Sequence, residues 1–310
     1  TVVTDNYILV RNSRNNPFKL FDKNGKFITA VGAFGQGPNE YMNVYDEWMD
    51  EKSNQIFILP WQTNSVLRFN LQGEALEPIP LPHRVPKGKI FVDAANSKLS
   101  VFLLPFANLP WVAWTQDFSG NVTDSIPAGH LAVQPDFSNE VQSDKNTDGF
   151  DCSLFTFFEQ RPDSVYHYNS ATNTLDPKFT LDFNGKPWKI HWYQELPNHF
   201  LGNVTIEKKL SDNISTTEYP AKFIVDKNTL KGAFYKMYND YLGDMPMDWA
   251  AFYYGYYVWN IDPGVLAEKL DTQLKTNTSI SEKERARLQK MLDEIDENDN
   301  NYVFIGKLRK

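Results

Sequence analysis

Apolar and polar residues alternate in short runs along most of the chain, and the runs end in turn residues. Phe18, Leu20 and Phe21 carry one run, Asp22-Lys-Asn-Gly25 supplies a turn, and Lys26–Val31 carries the next. Asn-Gly between two apolar runs predicts a β-hairpin, because glycine takes a positive φ at no steric cost. The segment that follows, Gly32-Ala-Phe-Gly35-Gln-Gly37-Pro38, holds too much Gly and Pro for a strand or a helix. It reads as a crossing loop that passes close to other backbone, with Gly35 and Gly37 serving backbone geometry. A cost for Gly37→Ala follows if φ is positive there.

The hairpin recurs at Ser65–Glu77, Val112–Asp124, Ser164–Pro177 and Ala221–Gly232. Aligning the turn residues Asp22, Asn70, Asp117, Asn169 and Asp226 gives steps of 48, 47, 52 and 57 residues. A repeat of this length made of strands alone predicts a β-propeller, one four-stranded sheet per repeat. Five turns and a final blade give six. The expected fold is all-β: a six-bladed propeller of four-stranded antiparallel blades, one domain over residues 1–310. After blade one, the expected spans are Val44–Pro80, Lys89–Pro127, Leu154–Phe183 and His199–Tyr238, with blade six starting near Trp249. Proline-rich Pro78–Lys89 reads as a linker, and polar Gly129–Asp151 reads as a long surface loop.

Residues 263–298 break the alternation. Asp262 followed by Pro263 is an N-cap with proline at the first helical position, and Leu266, Leu270 and Leu274 recur every four residues. Ser281 with Glu284 is a capping box, and Leu288, Met291, Leu292 and Ile295 form a second stripe. The pattern predicts a helical hairpin inserted in the last blade, packed on itself and on the propeller flank. Tyr302–Ile305 reads as a returning strand in the sheet that contains Trp249–Trp259. Such pairing closes the ring without exposed strand edges.

Phe21-Asp-x-x-Gly25-Lys-Phe27 followed by Gly35-x-Gly37-Pro-x-Glu40-Tyr41 resembles the NHL-like six-bladed propeller lipoproteins of Bacteroides and relatives. The C-terminal Glu297–Val303 is similar to that family's closing strand, with Asn301 where the family usually has Pro. The resemblance implies the propeller fold and a cell-envelope location, periplasmic or on the surface. It implies no reaction, since propellers host unrelated functions.

Composition narrows the partners. Net charge is −8 and no stretch is basic enough to track a phosphate backbone, so nucleic acid is excluded as an expected partner. No apolar run reaches the ~20 residues a membrane helix needs. Thr1-Val-Val3 reads as the tail of an innermost strand, so upstream sequence is expected outside this numbering. Membrane contact is expected only through a lipid anchor in that segment. Cys152 is the one cysteine, so no intrachain disulfide forms, and it reads as a buried thiol.

The candidate chemistry is aromatic. Asp248–Asn260, read as an extended strand, carries Trp249, Tyr253, Tyr257 and Trp259 on one parity and Phe252, Tyr254 and Tyr256 on the other. It is either a strand buried between blades or a stacking surface for a sugar or apolar ligand. Trp61, Trp111 and the trio His191, Trp192 and Tyr193 sit at strand ends or loops and are the candidate ligand-binding residues. No catalytic or metal-binding residue is assigned. The five histidines lack zinc spacing, no nucleophile elbow is present, and Gly35-x-Gly37 lacks the Lys of a phosphate loop. Asp46, Glu47 and Asp50 lie close together, a common occurrence in an acidic chain. Asn203-Val-Thr is one of four matches to the N-glycan acceptor pattern. No cofactor is expected, although a channel calcium gathered from several blades leaves no local motif. These features predict a non-catalytic envelope binding or scaffold protein, with a glycan, small molecule or envelope protein at the propeller mouth. The alternative is a propeller hydrolase of lactonase or glycan-active type, with side chains converging on the channel. Three or more inward carboxylates or amides around an ion would favour the hydrolase. A channel filled by apolar side chains would favour the scaffold.

Overall fold

The computed structural model describes residues 1–11, 15–106, 108–157, 161, 163–184, 190–211, 214–247 and 250–309. Strands follow sequence order within each sheet, and neighbouring strands of each sheet pair antiparallel. Blade one is β1 (Val2–Val3), β2 (Tyr7–Val10), β3 (Phe18–Asp22) and β4 (Phe27–Val31). Blade two is β5 (Val44–Asp50), β6 (Gln55–Pro60), β7 (Thr63–Asn70) and β8 (Ala75–Val85). Blade three is β9 (Gly88–Asp93), β10 (Lys98–Leu103), β11 (Trp111–Asp117) and β12 (Val122–Pro127). Blade four is β13 (Glu140–Gln142), β14 (Phe150–Phe155), β15 (Ser164–Asn169) and β16 (Thr174–Thr180). Blade five is β17 (Ile190–Glu195), β18 (His199–Ser211), β19 (Ile214–Asp226) and β20 (Gly232–Phe234). A separate two-stranded ribbon, β21 (Met237–Asn239) and β22 (Met245–Met247), precedes blade six, which is the three-stranded sheet of β23 (Ala251–Tyr253), β24 (Tyr256–Ile261) and β25 (Tyr302–Lys307). The fold is thus the expected six-bladed propeller.

The repeated turn residues do one job in five blades. Each side chain closes the turn between the third and fourth strands by accepting backbone N–H bonds, which gives the chain a local substitute for the strand ladder. Asp22 Oδ1 accepts from Asn24 and Lys26 at 2.8 and 2.9 Å. Asn70 Oδ1 accepts from Gln72 and Glu74 at 3.0 and 2.9 Å. Asp117 Oδ1 accepts from Ser119 and Asn121, both at 2.9 Å. Asn169 and Asp226 repeat the arrangement. Apolar faces of neighbouring blades then pack together. Leu20, Ile56, Ile58 and Phe69 join blades one and two, and Ile79, Ile90, Val101 and Trp114 join blades two and three. Burying each of these side chains contributes roughly 1.5–3 kcal/mol. Cys152 is buried in the core between blades three and four, and burial pushes its thiol pKa up.

Four expectations need correction. Gly129–Asp151 is not a surface loop: it contains β13 and then enters the propeller axis, so blade four starts at Glu140. His191, Trp192 and Tyr193 lie inside β17, the first strand of blade five, which therefore begins before His199. Pro78–Lys89 is mostly strand, since β8 runs to Val85. As the outer strand it tolerates proline, with Ile79, Leu81 and Val85 buried and Pro80 and Pro82 exposed. The aromatic stretch is a hairpin, turning at Tyr254-Gly255, where φ is +55° and +78°. Residues 248 and 249 lie outside the described residues.

The helical hairpin is α1 (Pro263–Thr276) and α2 (Glu282–Asp293), capped by Asp262 and Ser281 as expected. Leu266, Leu270, Leu274 and Leu288 pack on one another and on Leu242 and Met245. β25 returns to pair with β24, Val258 opposite Ile305 and Trp259 opposite Phe304. The ring closes by blade packing. Val3 and Ile8 meet Val258, and Asp5 takes Lys307 Nζ and the Tyr256 hydroxyl, each at 2.9 Å.

Neither Gly35 nor Gly37 has a positive φ, so the conformational cost conceived for Gly37→Ala does not apply. Space decides instead. Gly37 N–H donates to Glu40 Oε2 at 2.9 Å, and a Cβ on Gly35 would overlap that oxygen. Gly35→Ala should displace the carboxylate and cost roughly 1 kcal/mol, the worth of one hydrogen bond. Gly37→Ala should cost less, and urea melts showing the reverse order would refute this.

Candidate functional site

The first strands of the blades converge on the axis, and residues 143–149 fill it. Lys145 is the centre of this plug, with a side chain only 3% exposed. Its Nζ donates to Asp46 Oδ2 at 2.7 Å, to Glu47 O at 2.6 Å and to Tyr254 Oη at 3.2 Å. It also lies over the rings of Trp48, Tyr253 and Tyr254. Asp46 is enclosed as well. It accepts Ile90 N–H at 2.8 Å and the Tyr253 hydroxyl at 3.1 Å, and Lys89 Nζ stands 3.6 Å away. Burial pushes the Lys145 pKa down and those of Tyr253 and Tyr254 up.

Asn146 and Asp144 tie the plug to the last two blades. The Asn146 amide donates to Glu195 O at 2.8 Å and Phe252 O at 2.9 Å, and its oxygen accepts Gly255 N–H at 2.9 Å. Asp144 Oδ2 accepts Glu195 N–H at 2.8 Å. Burial pushes the Asp144 carboxyl up to about 7, against the pull of that N–H, of Gln194 and of Lys89. Beside the plug, Asp151 and Glu195 share Lys178 at 2.9 and 2.7 Å. Asp151 also meets His167 at 2.7 Å, and Glu195 also meets Lys227 at 2.5 Å. Of the two channel outcomes set out above, neither describes this axis. It is filled by paired charges. Among the described residues no group of three or more His, Cys, Asp or Glu is placed to hold a metal ion.

The plug leaves a hollow on each side. On one side a bowl of about 740 Å³ is rimmed by turns of the six blades. Its carboxylates serve local structure: Glu51 accepts from Thr4 and Asn6, and Asp5 from Lys307 and Tyr256. On the other side a cleft of about 230 Å³ opens between blades five and six. Trp192, Tyr235 and Phe252 give it aromatic walls, and Gln142, Gln194 and Asn203 give it amides. Among the described residues, its charged lining groups are Lys89, Lys222 and Asp144. An apolar wall with a few convergent polar groups is the usual make-up of a small-molecule site.

Of the five candidate residues, Trp192 and Tyr193 line this cleft. Tyr193 is a structural member, because its hydroxyl donates to Asp163 O at 2.9 Å and accepts Leu181 N–H at 3.0 Å. His191 is buried next to it, packed on Tyr193 and Phe183. Trp61 and Trp111 are elsewhere. Trp61 packs on Phe137, and Trp111 packs on His83 and Trp114. The period-two pattern placed aromatic residues on strands but could not say which blades face each other. Lys89, Asp144, Asn203 and Lys222 had no distinguishing pattern. Asn203 stood out only as a glycan acceptor match, and its burial in β18, 6% exposed, argues against that role.

A family model described as a domain of unknown function (DUF4934) matches residues 1–307. No curated protein matches the chain. Among solved structures, a Bacteroides fragilis protein described, by inference, as exported is 16% identical, with a TM-score of 0.59. The match covers 99% of this chain and 89% of that one. A member of the DUF4221 family from Bacteroides vulgatus is 13% identical, with a TM-score of 0.50, covering 97% of this chain and 90% of that one. At these identities the likeness is one of fold.

Proposed function

We propose that this chain, which belongs to the DUF4934 family, is a non-catalytic binding protein that takes a small polar ligand, a glycan unit, in the cleft between blades five and six. The observation that carries the reading is the make-up of that cleft. Aromatic faces and amide groups surround a hollow beside an axis whose own charges are already paired. A sugar presents an apolar face to stack on Trp192 or Phe252 and hydroxyls that both donate and accept, as amides do. A hydrolase needs an acid or base aimed at the reacting atom. Asp144, the one acid among the described residues that line the cleft, is engaged by Glu195 N–H, which supports binding over turnover. The compartment is the cell envelope. This follows the sequence resemblance and fits the export inferred for the Bacteroides fragilis neighbour.

A thermal-shift screen against mono- and oligosaccharides tests the reading. At least one sugar should raise the melting temperature, and Trp192→Ala should abolish that shift while leaving the unliganded melt within a few degrees. A sugar shift that survives Trp192→Ala would move the site elsewhere, and turnover of the bound sugar would replace binding with catalysis.

A further inference from the structure

We propose that Asn203 selects the ligand of the cleft, and that the ligand is an N-acetylated amino sugar whose acetamide N–H donates to Asn203 Oδ1. This rests on the cleft being the ligand site. Asn203 lines the cleft and is 6% exposed, yet its Oδ1 is enclosed with no hydrogen-bond partner among the described residues. Asn146, buried to a similar degree, spends its amide on three bonds to the last two blades. Buried side-chain oxygens are mostly bonded, and an open one on the wall of a cleft marks where a ligand donor belongs.

Register and lining narrow the class. Asn203 stands directly opposite Trp192 in the pairing of β18 with β17. Opposite residues of an antiparallel pair put their side chains on one face, with Cβ atoms roughly 4.5–5.5 Å apart. A sugar ring laid on Trp192 therefore brings a ring substituent to Asn203. An amide N–H is a donor alone, which is what an enclosed acceptor needs, whereas a hydroxyl in the same place must also find a use for its lone pairs. In a trans amide the C=O points away from the N–H, so the acetamide oxygen remains for another amide of the lining, such as Gln142. The methyl group meets a lining that is apolar at Leu201, Met237 and Ala250. A plain hexose leaves that part of the lining in water, and the acetamide therefore separates the amino sugar from its parent.

Titration calorimetry with N-acetyl-D-glucosamine and N-acetyl-D-galactosamine, against D-glucose and D-galactose, tests this on the full chain. At least one acetylated sugar should bind at least about tenfold more tightly than its parent hexose. Asn203→Leu and Asn203→Ala should each remove most of that margin, and Trp192→Ala should weaken both sugar classes. Without ligand, Asn203→Leu should melt at or above the wild-type temperature, because no protein hydrogen bond is lost. Equal affinities, a preference for the parent hexoses, or a margin that survives in both Asn203 variants would overturn the acetamide assignment and leave the binding reading standing. So would an unliganded Asn203→Leu melt several degrees below wild type, which would give the Asn203 amide a structural role. Failure of every sugar to bind would remove both.

Discussion

Replacing Asn146 with alanine is expected to cost about 2–4 kcal/mol of stability, a large share of the ~5–15 kcal/mol that holds a typical domain together. The residue makes three hydrogen bonds from the axis, two as donor to Glu195 O and Phe252 O and one as acceptor from Gly255 N–H. Their partners belong to blades five and six, so one side chain couples the plug to both. Alanine removes all three bonds, each worth ~0.5–1.5 kcal/mol. The loss stays at the lower end of what burial permits because Asn146 also borders the bowl, from which water can replace part of it. Asn146→Asp keeps the acceptor for Gly255 N–H but loses both donors, and should also be destabilising. Urea melts measure both variants. A free energy within ~0.5 kcal/mol of the wild type for Asn146→Ala would show that the plug does not brace the blades.

Asp144→Asn is expected to stabilise the protein, and more so at high pH. Burial pushes the Asp144 carboxyl from an ordinary 3.8 to about 7 in the folded chain. The folded state therefore holds the proton more tightly than the unfolded state. Between pH ~4 and ~7 the unfolded chain has lost this proton while the folded chain keeps it, so this group's contribution to stability falls as pH rises. At ~1.4 kcal/mol per pH unit, the penalty grows to a few kcal/mol by pH 8. Asparagine removes the titration and keeps an oxygen for Glu195 N–H, now accepted at 2.8 Å. The gain from Asp144→Asn should thus be about 1–2 kcal/mol at pH 5 and a few kcal/mol at pH 8. Melts at the two pH values decide it. A variant less stable than wild type at pH 8 would mean that the ionised carboxylate stabilises the axis.

The sequence by itself determined the features whose physics is local. Asp22, Asn70, Asp117, Asn169 and Asp226 bond backbone groups two to four residues away, so their spacing displayed the blade repeat. Asp262 and Ser281 cap helices through the same short range. The return of Tyr302–Ile305 was legible because an apolar run after a helical excursion needs a sheet to enter, and β24 was the unfinished one. Tertiary structure alone decided the axis and the cleft. Residues 143–149 are polar, and a polar segment satisfied by water has the same composition as one satisfied by distant protein groups. Here the partners of Lys145 and Asn146 are as far as 109 residues away in sequence. Trp192 shares the cleft with Lys89, Asp144 and Lys222, which lie in or beside the sheets of blades three, four and five. Only closure of the ring brings those blades to one axis, and a one-dimensional pattern of period two carries no information about which blade each inward side chain will face.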